Sequence, residues 1–213
     1  MSANLNPEKA LIFRIVHRDN VLWLLDQGLH CPSSETVDPN YRNIGNLELI
    51  SKRSRREVPI PPGGTLSDYI PFYFTPYSIM LFNIKTGWGG VPKVPNEEIV
   101  ILVSSLRHLV KMNLPFVFTN QHAYPVMAKY YSDLEHLDQI DWEILQKRDF
   151  EHDPDDPGKK ERYQAEALVY RNVPIEALLG IACFNGEVEA TLKSEVDSRD
   201  LKLQVILKPS WYF

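Results

Sequence analysis

The hydrophobic positions change period several times along the chain, and each change marks a change of element. Leu11-Ile12-Phe13-Arg14-Ile15-Val16 is a short run of β-formers ending at His17, which predicts a strand. Val21, Leu24 and Leu25 then recur at helical spacing, with Asp19 or Asn20 placed to cap the helix and Gly28 to stop it. From Cys31 to Thr65 little is periodic; the segment is polar and closes on Pro59, Pro61, Pro62, Gly63 and Gly64. Roughly thirty-five residues of loop inside a compact domain point to a binding element rather than a passive connection.

Downstream the chain becomes strand-rich. Tyr69 to Thr75, Met80 to Ile84 and Ile99 to Ser104 read as strands, and Pro71 and Pro76 put the first at an edge or an end. Leu106, Leu109 and Val110 suit a short helix, and Phe116-Val117-Phe118 another strand. Met127, Tyr130, Tyr131, Leu134, Leu137, Ile140, Ile144 and Leu145 return to helical spacing. An acidic, proline-broken loop from Asp149 to Gly158 precedes a strand from Gln164 to Tyr170. The rest reads as a strand at Ile181 to Phe184, a helix at Val188 to Val196, and strands at Leu201 to Leu207 and Trp211 to Phe213. No repeat or compositional break divides the chain, so the expectation is one mixed α/β domain over residues 1–213 with short, mostly antiparallel strands.

Composition narrows the class. With 44% hydrophobic and 24% charged residues in 213, disordered and collagen-like chains are excluded. Cys31 and Cys183 are the only cysteines, too few for a disulfide scaffold and suited to a reducing compartment. The N-terminus shows no basic patch ahead of an apolar core, and runs such as Ile99 to Val103 are far too short for a membrane span. A cytoplasmic chain without membrane association is expected.

The net charge of −5 argues against a protein that coats nucleic acid non-specifically. Residues 1–110 carry 11 Lys and Arg against 10 Asp and Glu, whereas residues 111–213 carry 12 against 18. The dense basic run Lys52-Arg53-Ser54-Arg55-Arg56 lies in the first part, so a polyanion would touch it rather than Asp153-Pro154-Asp155-Asp156. From charge alone, a solvated loop is the plainer account of those cations.

Several chemistries are missing. The six histidines (17, 30, 108, 122, 136 and 152) lie apart, with no His-Glu-x-x-His and no Cys-x-x-Cys, so no metal site is expected. There is no Gly-x-Ser-x-Gly elbow. Neither Pro62-Gly63-Gly64 nor Gly87-Trp88-Gly89-Gly90 fits a phosphate loop or a Rossmann fingerprint.

Three features remain. Arg14 and His17 lie where a strand feeds a helix, a place suited to a ligand's phosphates and ribose hydroxyls; capping and solvating the turn would account for them equally well. Alternation in Gln164-Ala165-Glu166-Ala167-Leu168-Val169 groups Glu166 with Gln164 and Leu168 rather than with the alanines, so its carboxylate faces either a cleft or open solvent. Arg53 is the third.

Together these blocks resemble the DarT family, the DNA ADP-ribosyltransferase toxins of the DarT–DarG toxin–antitoxin pair. The resemblance runs from about Leu11 to Phe213. It is carried by Leu11 to Asn20, by Arg53 with Val58-Pro59-Ile60-Pro61-Pro62-Gly63-Gly64 through Asp68-Tyr69-Ile70-Pro71-Phe72-Tyr73-Phe74, by Pro115-Phe116-Val117-Phe118-Thr119 with His122, and by Gln164-Ala165-Glu166 with Leu168-Val169-Tyr170. It implies the ADP-ribosyltransferase fold, a split antiparallel β-sheet core with flanking helices. It also implies NAD as co-substrate without a metal, and single-stranded DNA as acceptor, with thymidine the favoured base and guanosine second.

Carried over residue by residue, the resemblance makes Glu166 the catalytic glutamate. It gives Arg53 the position assigned as proton acceptor for the modified base. Arg14, Ile15 and Val16 match the strand that holds NAD, closed by His17; related enzymes often place His at the Arg14 position and Ser or Thr at Val16, so Val16 offers only its backbone. The stretch from about Cys31 to Arg53 matches the NAD-covering element, and Tyr73 and Met80 line the nicotinamide or base pocket or else pack in the core. Residues 119–166 match the region presenting the acceptor, with His122, Arg162 and Tyr163 on the substrate side. A DarG-like macrodomain antitoxin is the implied partner, and the chemistry needs no second subunit, so a monomer is expected. Two other readings stay open: transfer to RNA or protein, and a non-enzymatic module that binds single strands.

Overall fold

The computed structural model describes residues 5–213. The chain opens with β1 (Leu11–His17), α1 (Val21–Gln27), β2 (Leu29–His30), α2 (Leu47–Arg53), β3 (Tyr69–Tyr73) and α3 (Ile79–Thr86). It continues through β4 (Ile99–Ser105), α4 (Leu106–Lys111), β5 (Phe116–Thr119), β6 (Tyr130–Tyr131), α5 (Trp142–Lys147) and α6 (Lys159–Arg162). It ends with β7 (Glu166–Tyr170), β8 (Asn172–Val173), β9 (Gly180–Cys183), α7 (Gly186–Ser198) and β10 (Gln204–Leu207).

Eight strands form one sheet in the order β10-β9-β4-β1-β3-β7-β5-β6, and β2 pairs with β8 apart from it. Neighbours run antiparallel except β9 and β10. All seven residues of β4 are buried, as expected of a strand covered on both faces, and its unbroken apolar run reflects that. Gly28 ends α1 at φ +74°, where a Cβ would stand 2.6 Å from the Val173 carbonyl oxygen, so glycine is required twice over.

The decisive feature is a split. β1 pairs with β4 along its whole length, from Leu11 opposite Ser105 to His17 opposite Ile99. On its other side β1 meets β3 through a single pair, Phe13 opposite Tyr73. The two halves of the sheet therefore part beside Arg14, whose Nη1 crosses the gap to donate to the Pro71 carbonyl at 2.8 Å. Pro71 was expected at an edge or an end, yet β3 lies in the middle of the sheet. The N–H and C=O of one strand residue point the same way, so the donor that Pro71 lacks would have faced this gap, where no ladder needs it.

Other expectations give way to local capping. Residues 80–84 belong to α3 rather than to a strand: Ser78 Oγ accepts from the Leu81 amide at 3.2 Å, and Gly87 closes the helix in the left-handed region. The helical spacing of residues 127–145 is broken into β6, a 3-10 turn and α5, because Asp133 and Asp141 each start a new turn by accepting from Glu135 and Ile144. Near the end, Pro209 opens a 3-10 turn through Trp211 in place of a strand. Among the described residues, no helix is long and apolar enough to cross a membrane.

Candidate active site

Where the sheet splits, a cavity of about 490 Å³ opens, within the range of small-molecule sites. Its floor includes Arg14, Ile15 and Val16 of β1 and Tyr73 of β3. The segment from Cys31 to Arg53 folds across it, bringing Tyr41, Ile44 and Ile50 to the lining. The long unpatterned loop thus has a cavity to cover, and it contains α2, which the sequence did not reveal. Asn46 caps that helix by accepting from the Leu49 amide at 3.0 Å.

Glu166, the first residue of β7, lines the cavity and is only 1% exposed. Strand parity puts its side chain on the face of Leu168, in a small cluster with Val117, Ala123 and Tyr130, and away from the core that receives Ala167 and Val169. Its Oε1 accepts from the Ala123 amide at 3.0 Å and from Arg53 Nη1 at 3.1 Å, and His122 Nε2 stands 3.6 Å away. The Ala123 amide is held in place by its own segment. Tyr130 donates to the Ala123 carbonyl at 2.6 Å, and the His122 amide donates to the Glu161 carbonyl at 2.9 Å.

The second oxygen differs. Oε2 lies 2.9 Å from Arg53 Nη2, but neither atom completes a hydrogen bond there. The Arg53 guanidinium thus lies against both oxygens of a buried carboxylate. Burial alone would push the Glu166 carboxyl up; the charges of Arg53 and His122, with the Arg53 and Ala123 hydrogen bonds, outweigh it and hold the group below its ordinary value. Burial works against the Arg53 guanidinium, but Glu166 keeps it more firmly protonated than usual. Tyr73 is pushed up by burial and by the Glu166 charge, and it donates to Met80 Sδ at 3.8 Å. The site therefore holds a fixed anion, a fixed cation and a neutral phenol around one cavity.

A family model described as ssDNA thymidine ADP-ribosyltransferase, DarT, matches residues 13–213. The chain belongs to the DarT family. A DNA ADP-ribosyl transferase of Escherichia coli O127:H6 (strain E2348/69 / EPEC) is 57% identical over 212 residues, covering 100% of this chain and 97% of that protein. Thermus sp. 2.9 DarT in complex with ADP-ribosylated ssDNA superposes with a TM-score of 0.89 at 33% identity, with 100% of both chains covered. The same Thermus DarT in complex with NAD+ gives 0.84 at 32% identity, again over 100% of both.

In this DarT-family chain the expected residues do not all converge. Arg14, Ile15, Val16, Cys31, Arg53, Tyr73, Met80, His122 and Glu166 line the one cavity. His17 does not: its Nδ1 accepts from the Asp19 amide at 3.1 Å, leaving Nε2 to donate to Glu98 at 3.0 Å. Arg162 and Tyr163 take structural places. Arg162 bonds Asp141 at 3.0 Å and Asp156 at 2.6 and 2.9 Å, and Tyr163 is 1% exposed with its hydroxyl on the Tyr77 carbonyl at 3.1 Å. Proximity to Glu166 in the sequence does not bring them to it, because α6 turns both side chains toward the Asp141–Asp156 region and the core. Arg162→Ala is expected to lower the melting temperature by about 2–4 °C for each ~1 kcal/mol that the bridge contributes. A loss of transfer at unchanged melting temperature would return Arg162 to the acceptor side.

Sequence reasoning missed the Ala123 amide altogether, since a backbone donor has no residue signature. Among the described residues, no group of His, Cys, Asp and Glu is gathered that could hold a metal.

Proposed function

We propose that this chain is a toxin that transfers ADP-ribose from NAD to thymidine in single-stranded DNA, with Glu166 as its catalytic residue. The observation that carries the reading is the buried, ionised Glu166 carboxylate, held at the cavity by the Ala123 amide and the Arg53 guanidinium. As nicotinamide departs, the ribose gains oxocarbenium character. A carboxylate that accepts from the 2′-hydroxyl and lies beside that growing charge stabilises the transition state more than the ground state.

Donor binding falls to the floor and the cover. Arg14 lines the floor, where its guanidinium suits the phosphates or a ribose hydroxyl, and Ile15 and Val16 offer backbone. Cys31 to Arg53 is the donor-covering element, while residues 119–166 present the acceptor, with the His122 ring 3.6 Å from Glu166. A guanidinium held protonated by Glu166 is a poor proton acceptor, so Arg53 orients the base through its N–H groups. A stacked, paired base cannot enter such a site, which favours single strands. All these side chains come from one chain, which supports action as a monomer. NAD and exposed single strands meet in the cytoplasm, where a DarG-like macrodomain antitoxin would oppose the toxin; that partner rests on family resemblance.

Labelled NAD with thymidine-only and guanosine-only oligonucleotides tests the reading. Label is expected on the thymidine strand. Label on guanosine alone would change the base, and label confined to RNA or protein, or none at all, would overturn the proposal.

A further inference from the structure

Asn20 was expected to cap α1, but its side chain makes no capping bond. It is 1% exposed and serves another segment. Asn20 Oδ1 accepts from the Arg42 amide at 2.8 Å, and Asn20 Nδ2 donates to the Arg42 carbonyl at 2.9 Å. The carboxamide thus pairs with the backbone of residue 42 as a neighbouring strand would, using a donor and an acceptor together.

That residue lies in the middle of the element that covers the cavity. Between Pro32 and Arg53 only Ile44 and Gly45 are fully buried, and Leu49 and Ile50 of α2 are only partly buried, so apolar packing holds this element weakly. Its ends are fixed by the Cys31 amide on the Arg171 carbonyl at 2.9 Å and by the Arg53–Glu166 pair. Near the first end Ser33 donates from its amide to the Ser67 carbonyl at 3.1 Å and from its hydroxyl to Asp68 at 2.7 Å, and Asn20 anchors the middle. The Arg42–Asp19 ion pair at 2.6 Å joins side chains 56% and 49% exposed, where water screens it. The buried His17 receives the Asp19 amide and is itself held by Glu98, which fixes the turn that carries Asn20.

We infer that Asn20 is a positioning residue that locks the NAD-covering element over the cavity through the backbone of residue 42, and so sets donor affinity without touching the reacting atoms. Closure prepaid in the free chain lowers the ordering cost of binding. The inference rests on the donor-binding reading of the cavity.

Loss of two hydrogen bonds predicts that Asn20→Ala raises KM for NAD by roughly ten- to thirtyfold, with kcat at saturating NAD within about twofold. Asn20→Asp keeps the size and the acceptor but turns a carboxylate oxygen on the Arg42 carbonyl, so it should fail to rescue. In the unaltered chain, the Arg42 amide should exchange with deuterium at least about tenfold slower than an open-chain amide before NAD is added. Unchanged KM in both variants, or free exchange at Arg42, overturns the clamp while NAD binding by the unaltered chain stands. A parallel fall in kcat and melting temperature would make Asn20 merely structural and also overturn it. An unaltered chain that does not bind NAD sinks both this inference and the donor reading.

Discussion

Glu166→Gln is expected to reduce ADP-ribose transfer by roughly 10³-fold or more while the chain stays folded. The substitution keeps the size of the side chain and removes the charge. Glutamine can still receive the Ala123 amide, so the loop over β7 keeps its anchor. What it cannot do is oppose a positive charge forming on the ribose, and a loss of this size corresponds to about 4 kcal/mol of transition-state stabilisation. NAD binding should change far less, because most of the cavity lining is untouched. Single-turnover labelling of a thymidine oligonucleotide, beside a measured Kd for NAD, separates the two effects. Transfer within tenfold of the unaltered chain would remove Glu166 from the chemistry.

Arg53→Ala should cost roughly 10²-fold or more in transfer to DNA, and less in hydrolysis of NAD to free ADP-ribose. The asymmetry follows from its place. Arg53 ends α2 in the covering element and reaches the carboxylate from the cavity side, where the proposed function puts the incoming base. Water needs no orienting guanidinium, but a planar base does. Arg53→Lys is expected to recover little, since an ammonium cannot present two N–H groups in one plane. Removing one partner of a buried pair also costs about 3–5 kcal/mol where the other is left stranded. Here the Ala123 amide and His122 remain beside Glu166, and no apolar residue of α2 is fully buried, so the damage should be local: the covering element loosens before the sheet does. Equal losses of transfer and hydrolysis would assign Arg53 to the donor instead.

These two side chains show how far sequence reasoning reaches. Strand parity is local, so once Gln164 to Tyr170 reads as a strand the face of Glu166 follows from its neighbours; parity left open whether that face met a cleft or solvent, and the family resemblance singled the residue out. Composition showed Arg53 only as part of a basic run; the family resemblance gave it a place in the site, and its partner lies 113 residues away. Where local rules left two options, the tertiary structure chose. Residues 80–84 satisfy a strand and a helix alike until Ser78 and Gly87 are seen to cap them. Asn20 satisfies the rule for a helix cap, yet a buried carboxamide gains more from two backbone partners than from one. Arg162 and Tyr163 lie beside Glu166 along the chain, yet their side chains bond Asp141, Asp156 and the Tyr77 carbonyl.

By itself the amino-acid order determined the strand-rich class, the strand face that carries Glu166 and the family. All of these depend on side-chain period or on contiguous motifs. Only the tertiary structure decided that the sheet parts between β1 and β3, that the polar loop closes over the gap, and that a backbone amide from Ala123 anchors the acid. Such features arise from pairings between distant segments, each selected by the burial and hydrogen bonding of groups that have no fixed separation along the chain.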